Sequence, residues 1–265
     1  MERFSKREGY AGNEAEIVIR EDAPNSLRSY IVQTLYALGF TPKQIRPLIC
    51  QVLRVAPDEN NWTEYPNIDT EIRELVLYCD WYKVYDIIEA LSQILPPLKR
   101  VDFSSEINDF FLENGIGWKL ENGKVIFRGD NQFENKLKEA KAIVIQYGYG
   151  TAKHEISEAI NDLSKKPNPD KTGAIQHSLA CLECIAREVI GNRKQTLGEL
   201  IKQNRAVVPS PLDIVIEKIW GFSSEQGRHL REGGEPDFDE VELLVGLSLS
   251  LSAYLAKKKG KINGI

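Results

Sequence analysis

An apolar rhythm of about 3.6 residues per repeat recurs from residue 24 to residue 258, interrupted by one stretch that reads as a β-hairpin. A sheet-based chain of this length needs many strands of period two. With one candidate ribbon, the apolar side chains must be buried between helices, and the expected fold class is mainly α. The segment PNSLRSYIVQTLYALG (24–39) puts Leu27, Ile31, Leu35 and Leu38 on one stripe, with Pro24 suited to a first turn and Gly39 to an end. TPKQIRPLICQVLRV (41–55) opens on Thr41 as a cap with Pro42 just inside, and Pro47 lies early enough to be tolerated with a bend. Residues 66–95 form a long helical pattern expected to divide near Trp81, where Trp81, Tyr82 and Tyr85 are large enough to dominate a local core. Pro96 and Pro97 are expected to end it, and a further helix to end near Gly115.

The interruption is IGWKLENGKVIF. Asn122-Gly123 at its centre predicts a two-residue type I′ turn, because both central residues of that turn need positive φ. A two-stranded ribbon is marginal alone in water, so this one must lie against helices.

From residue 131 the helical rhythm resumes, with two helices around Gly148–Gly150, a loop at 166–173, and AIQHSLACLECIAREVIG (174–191) closing on Gly191. Ile175, Leu179, Leu182, Ile185 and Val189 share one face of that helix. Shorter helices are expected around 196–204 and 211–220, and a last one from Asp237 to Lys258. Its GLSLSLSAYL alternates as a half-buried strand would. The acids before it and the lysines after it match a helix dipole instead, and serines let neighbouring helices approach closely. The expected domains are residues 1–130, ending in the hairpin, and residues 131–265, a helical bundle.

Of the 265 residues, 42% are hydrophobic and 28% charged, an ordinary globular balance. No apolar run approaches the roughly 18 residues of a membrane span, and MERFSKREGY lacks a signal-peptide core, so a soluble, cytoplasmic protein without membrane partners is expected. Residues 1–130 hold 15 basic against 21 acidic side chains, and residues 131–265 hold 19 against 18. Neither half attracts nucleic acid by net charge, so any RNA contact must come from a local cluster. Cys181 and Cys184 form a single C-x-x-C with no second pair or nearby histidines to complete a zinc site. They are expected as small apolar residues on a helix face, with no metal and no cofactor implied.

Three segments carry a resemblance. FSKREGY is similar to the opening of the AbiJ-type N-terminal domain of bacterial abortive-infection proteins. GAIQHSLACLECIAREVIGNRKQTLGELI (173–201) and IWGFSSEQGRHLREGGEPDFDEVELLVGLSLSLSAYLAKK (219–258) resemble the HEPN-like helical domain of the same group. The resemblance implies an AbiJ-type domain at 1–130 followed by a HEPN-like bundle at 131–265, acting in phage defence as a homodimer. In catalytic HEPN dimers an Arg, a short polar spacer and a His open the last helix, and RNA is cut without metal. Here Arg228 and His229 are adjacent, and the window for an earlier Arg reads Phe222, Ser223, Ser224, Glu225.

On this basis His229 is the candidate acid/base, with Arg228 and Glu232 beside it in the catalytic group, and Arg231 and Arg228 are the candidate RNA contacts. If residues 223–232 are one or two helical turns capped by Ser223 or Ser224, Glu225 lies four residues before His229 and Glu232 three after. Either carboxylate could then orient the ring. Glu183 is a candidate support for Arg228, or simply an i, i+4 partner of Arg187. The bland alternative for the whole cluster is a solvated helix start with local ion pairs of little energetic weight. His154 and His177 are expected at the surface. AKKKGK (256–261) could touch phosphate or simply solubilise the chain end. Three functions stand: a dimeric ribonuclease; a non-catalytic HEPN-like module binding RNA, a nucleotide or a protein partner; and a helical interaction protein docking through its acidic first domain.

Overall fold

The computed structural model describes residues 4–8, 15–204, 207–228 and 236–262, with the backbone alone described at 5–6, 222–228 and 259–262. The fold is mainly α-helical with one antiparallel two-stranded hairpin. Its contacts divide into two compact units, Met1–Arg128 and Gly129–Ile265.

In the first unit, a short turn α1 (Phe4–Arg7) precedes α2 (Asn25–Ala37), α3 (Pro42–Leu53), α4 (Asp69–Tyr78), α5 (Trp81–Ile94) and α6 (Pro97–Glu113). The strands β1 (Trp118–Glu121) and β2 (Lys124–Phe127) follow. Leu27, Ile31 and Leu35 of α2 are fully buried, and Thr41 and Gln44 form a reciprocal capping box at the start of α3. The long pattern at 66–95 divides as expected, just before Trp81: Cys79 turns to extended geometry and α5 starts two residues later. The cause lies elsewhere in the chain. The buried Arg28 of α2 donates from Nη1 to the carbonyls of Val76 (2.8 Å), Leu77 (3.1 Å) and Cys79 (2.7 Å), and from Nε to Ala23 (2.7 Å). One cation thus satisfies the orphan carbonyls of the α4 terminus and complements its dipole. The Pro96-Pro97 pair ends α5 and also begins α6, with Pro97 in the first turn where its missing N–H costs nothing. The sequence suggested only the ending.

The hairpin has the predicted turn, with Asn122 at φ 52° and Gly123 at φ 78°. It packs on α5 and α6 through Trp118, Leu120, Val125 and Phe127, all buried on one face. Side chains occupy both outer edges. Asn108 of α6 accepts from the Leu120 N–H (2.7 Å) and donates to the Leu120 carbonyl (2.9 Å), and Glu89 of α5 accepts from the Val125 N–H (2.7 Å). Each helix supplies the partner that a neighbouring strand would otherwise provide.

The second unit comprises α7 (Asn131–Gln146), α8 (Gly150–Ser164), α9 (Lys171–Ile190), α10 (Leu197–Gln203), α11 (Leu212–Arg228) and α12 (Phe238–Ile262). Contacts run from α7 to α8, α8 to α9, α9 to α12 and α12 back to α7, closing a ring of four helices, while α10 and α11 lean on α9. The ambiguous GLSLSLSAYL stretch is helical. Ser248 and Ser252 are fully buried one turn apart, and Ser252 Oγ lies 3.8 Å from Cys181 Sγ of α9. Small side chains here allow the close helix approach that the alternation disguised. Helix α9 starts three residues earlier than expected, where Asp170 caps it by accepting from the Gly173 N–H (2.8 Å). Helix α11 corrects another expectation. It runs unbroken through Ser223 and Ser224 to Arg228, so these serines lie inside a helix rather than capping a new one. The helix begun at Leu212 simply extends beyond the apolar residues that marked its start. Among the described residues no helix is long and apolar enough to cross a membrane.

Candidate functional site

His229, Arg231 and Glu232 lie outside the described residues, and Glu225 and Arg228 are described only as backbone, both on α11. The described part of α11 reaches Arg228, and α12 opens at Phe238.

The entry to α12 is well defined. Pro236 is buried, and Asp237 and Glu240 cap each other reciprocally (2.8 and 3.3 Å). Lys171 Nζ stands 4.9 Å from the centre of the Phe238 ring, so α9 and α12 begin at the same end of the bundle. The Asp130 N–H, at the start of α7, donates to Glu242 (2.6 Å) and brings a third helix start there.

That end carries an ionic cluster the sequence did not reveal. His177 Nδ1 lies 2.7 Å from Glu155 Oε2 of α8, and Nε2 lies 3.6 Å from Asp162 Oδ2. Asp162 is 4% exposed and pairs through Oδ1 with Lys165 (2.6 Å), while its Oδ2 has no hydrogen-bond partner among the described residues. Gly173 permits this approach, since a Cβ there would stand 2.5 Å from Asp162 Oδ2. Both ring nitrogens face carboxylates of α8, so His177 fastens α8 to α9 rather than sitting free at the surface. The available signal was the seven-residue spacing of Glu155 and Asp162, which puts both on one helix face. His154 is exposed, as expected.

Glu183 pairs with Arg187 (2.6 Å) and accepts from the Leu197 N–H at the start of α10 (3.1 Å). It lies about 18 Å along α9 from Lys171, at 1.5 Å per residue, and its carboxylate serves the α9–α10 corner. The thiol of Cys181 is fully buried, and burial pushes its pKa up to about 12, an unreactive state. Cys184, half-buried, is also raised by burial. Among the described residues no three His, Cys, Asp or Glu side chains are arranged to hold a metal ion.

The architecture defines a helical protein of two units, the first acidic and hairpin-bearing, the second a ring of four helices. The chain belongs to the family of AbiJ N-terminal domain 4, whose model matches residues 2–142, all but the first residue of the first unit together with most of α7. That membership points to a role in abortive infection, a form of phage defence. No curated protein and no solved structure matches the chain.

Proposed function

We propose that this protein is an abortive-infection effector whose second unit is a HEPN-like bundle that cleaves RNA as a homodimer without a metal ion. The observation that carries the reading is the closed ring α7–α8–α9–α12, whose last helix is entered through the His- and Arg-bearing stretch at 225–236. On this reading His229 removes the proton of a ribose 2′-OH, which attacks the adjacent phosphate. The P–O5′ bond breaks, leaving a 2′,3′-cyclic phosphate and a 5′-OH that takes up a proton. Arg228 and Arg231 hold the phosphate, and Glu225 and Glu232 orient the imidazole. A positioned His accounts for about 10²–10⁴ in rate, and an Arg facing developing charge adds to it. Both need shelter from water, which a second copy supplies. Leu243 and Leu247, one turn apart near the start of α12, are 61% and 37% exposed and form an apolar strip suited to that contact.

A second reading is a non-catalytic HEPN-like module that binds RNA, a nucleotide or a protein. It is favoured by the adjacency of Arg228 and His229 and by the place of Arg228 on α11, ten residues before α12 opens at Phe238. One experiment separates the two. Purified protein with total RNA in excess EDTA is expected to cut, and His229→Ala to abolish cutting while retaining its helical circular dichroism. RNA left intact by the wild-type protein, with or without added divalent metal, would remove the nuclease reading.

A further inference from the structure

The first unit contains a cleft of about 810 Å³ between the end of α3, the loop that follows it, the outer face of α4 and the start of α5. Its walls carry Asp58, Glu71, Glu74, Asp80, Lys83 and Tyr78. The charges are not self-neutralised. Glu71 is taken by Arg46 (3.1 Å), by the Asp58 N–H (2.8 Å) and by Asn61 (3.1 Å), and Lys83 is taken by Asp86 (2.8 Å). Asp58, Glu74 and Asp80 make no ion pair among the described residues. Among the described residues the Asp58 carboxylate accepts only from Asn60 within its own turn, and the Asp80 carboxylate only from the Tyr82 hydroxyl. Tyr78 adds an aromatic ring that is 79% exposed, and Val55 beside it is 42% exposed.

Three unneutralised carboxylates, an open aromatic ring and an apolar wall repel phosphate and suit a cation on an apolar stem. Guanidinium fits better than ammonium, because its planar fork pairs with carboxylates at two points and stacks on a ring face. We infer that this cleft is a docking site for an arginine-bearing segment of a basic partner protein. The match is one of charge: the half of the chain that holds the cleft has 21 acidic against 15 basic side chains. The site is independent of the ribonuclease reading, since it uses no residue of the 225–236 stretch.

The test uses the full-length protein and a short fluorescein-labelled Gly-Ser peptide bearing several arginines, followed by anisotropy at moderate salt. The wild-type protein should bind it at least about threefold more tightly than the lysine version of the same peptide. Asp58→Asn/Glu74→Gln/Asp80→Asn should weaken binding about tenfold or more, and Tyr78→Ala about threefold. Glu21→Gln/Asp102→Asn/Glu113→Gln removes the same charge from exposed acids elsewhere in the unit and should leave affinity within about twofold. Unchanged melting curves check that the exposed substitutions leave the fold intact, and Glu74→Lys alone gives a second variant with the same expected direction. Equal losses in the cleft and control variants, or no binding by the wild-type protein, would overturn the inference.

Discussion

Arg28 shows how much a single residue can decide. A long cationic side chain on a mainly apolar helix stripe reads as a surface residue, yet it is 7% exposed and bonds four carbonyls. Arg28→Met would fill similar space but leave the α4 terminus unsatisfied, and buried groups without partners cost about 1–3 kcal/mol each. The expected loss is about 3 kcal/mol or more in urea unfolding of the first unit. Arg28→Lys, with one donor centre in place of a fork, should recover less than half of it. Asp170 makes a smaller, pH-dependent contribution. The backbone N–H of Gly173, and secondarily Lys165, hold its carboxyl below the ordinary Asp range. A depressed folded pKa means that the stabilisation is complete above the ordinary Asp value and is lost as pH falls through the lower folded value. Asp170→Ala should cost about 1 kcal/mol at neutral pH. Asp170→Asn, an equally good cap, should keep neutral stability and flatten the urea midpoint between about pH 5 and pH 3.

Among the elements, the hairpin and the α9–α12 pair rest on different physics. The hairpin turn is local: two residues with positive φ, both of tolerant type, set the register in which Trp118 faces Phe127. Its stability is not local, because the ribbon edges are bonded by Asn108 and Glu89 from two helices. Asn108→Leu should therefore destabilise the first unit by about 2 kcal/mol despite raising apolar content, since the Leu120 N–H and carbonyl lose their partner. The α9–α12 contact depends on small volume. Ser252→Leu would push extra carbons against Cys181 and should lower stability by about 1–3 kcal/mol, read as a drop in melting temperature. Ser252→Ala should be nearly silent.

For the whole molecule, the prediction concerns association. If a second copy covers Leu243 and Leu247, then Leu243→Lys/Leu247→Lys should convert a dimer to a monomer in sedimentation velocity and abolish RNA cutting. Because both side chains are exposed, the melting temperature of the monomeric bundle should change little. Mixing an excess of His229→Ala chains with wild-type chains should depress cutting beyond simple dilution, as a site shared between subunits requires.

The sequence alone determined the fold class, most helix positions, the I′ turn, the Thr41 cap and the helical identity of the serine-rich stretch. Each depends on neighbours within a few residues, where periodicity, capping and turn chemistry act. Only the tertiary structure decided that α4 stops on Arg28, that His177 lies between Glu155 and Asp162, that Glu183 serves α10, and that Ser223 and Ser224 continue α11 to Arg228. Three of these depend on groups brought together from distant parts of the chain, such as Arg28 with Val76 or His177 with Glu155. Such partners are set by how helices pack, and one-dimensional spacing holds no record of that. The continuation of α11 was hidden for a different reason: past Phe222 the apolar signal fades while the backbone ladder carries on.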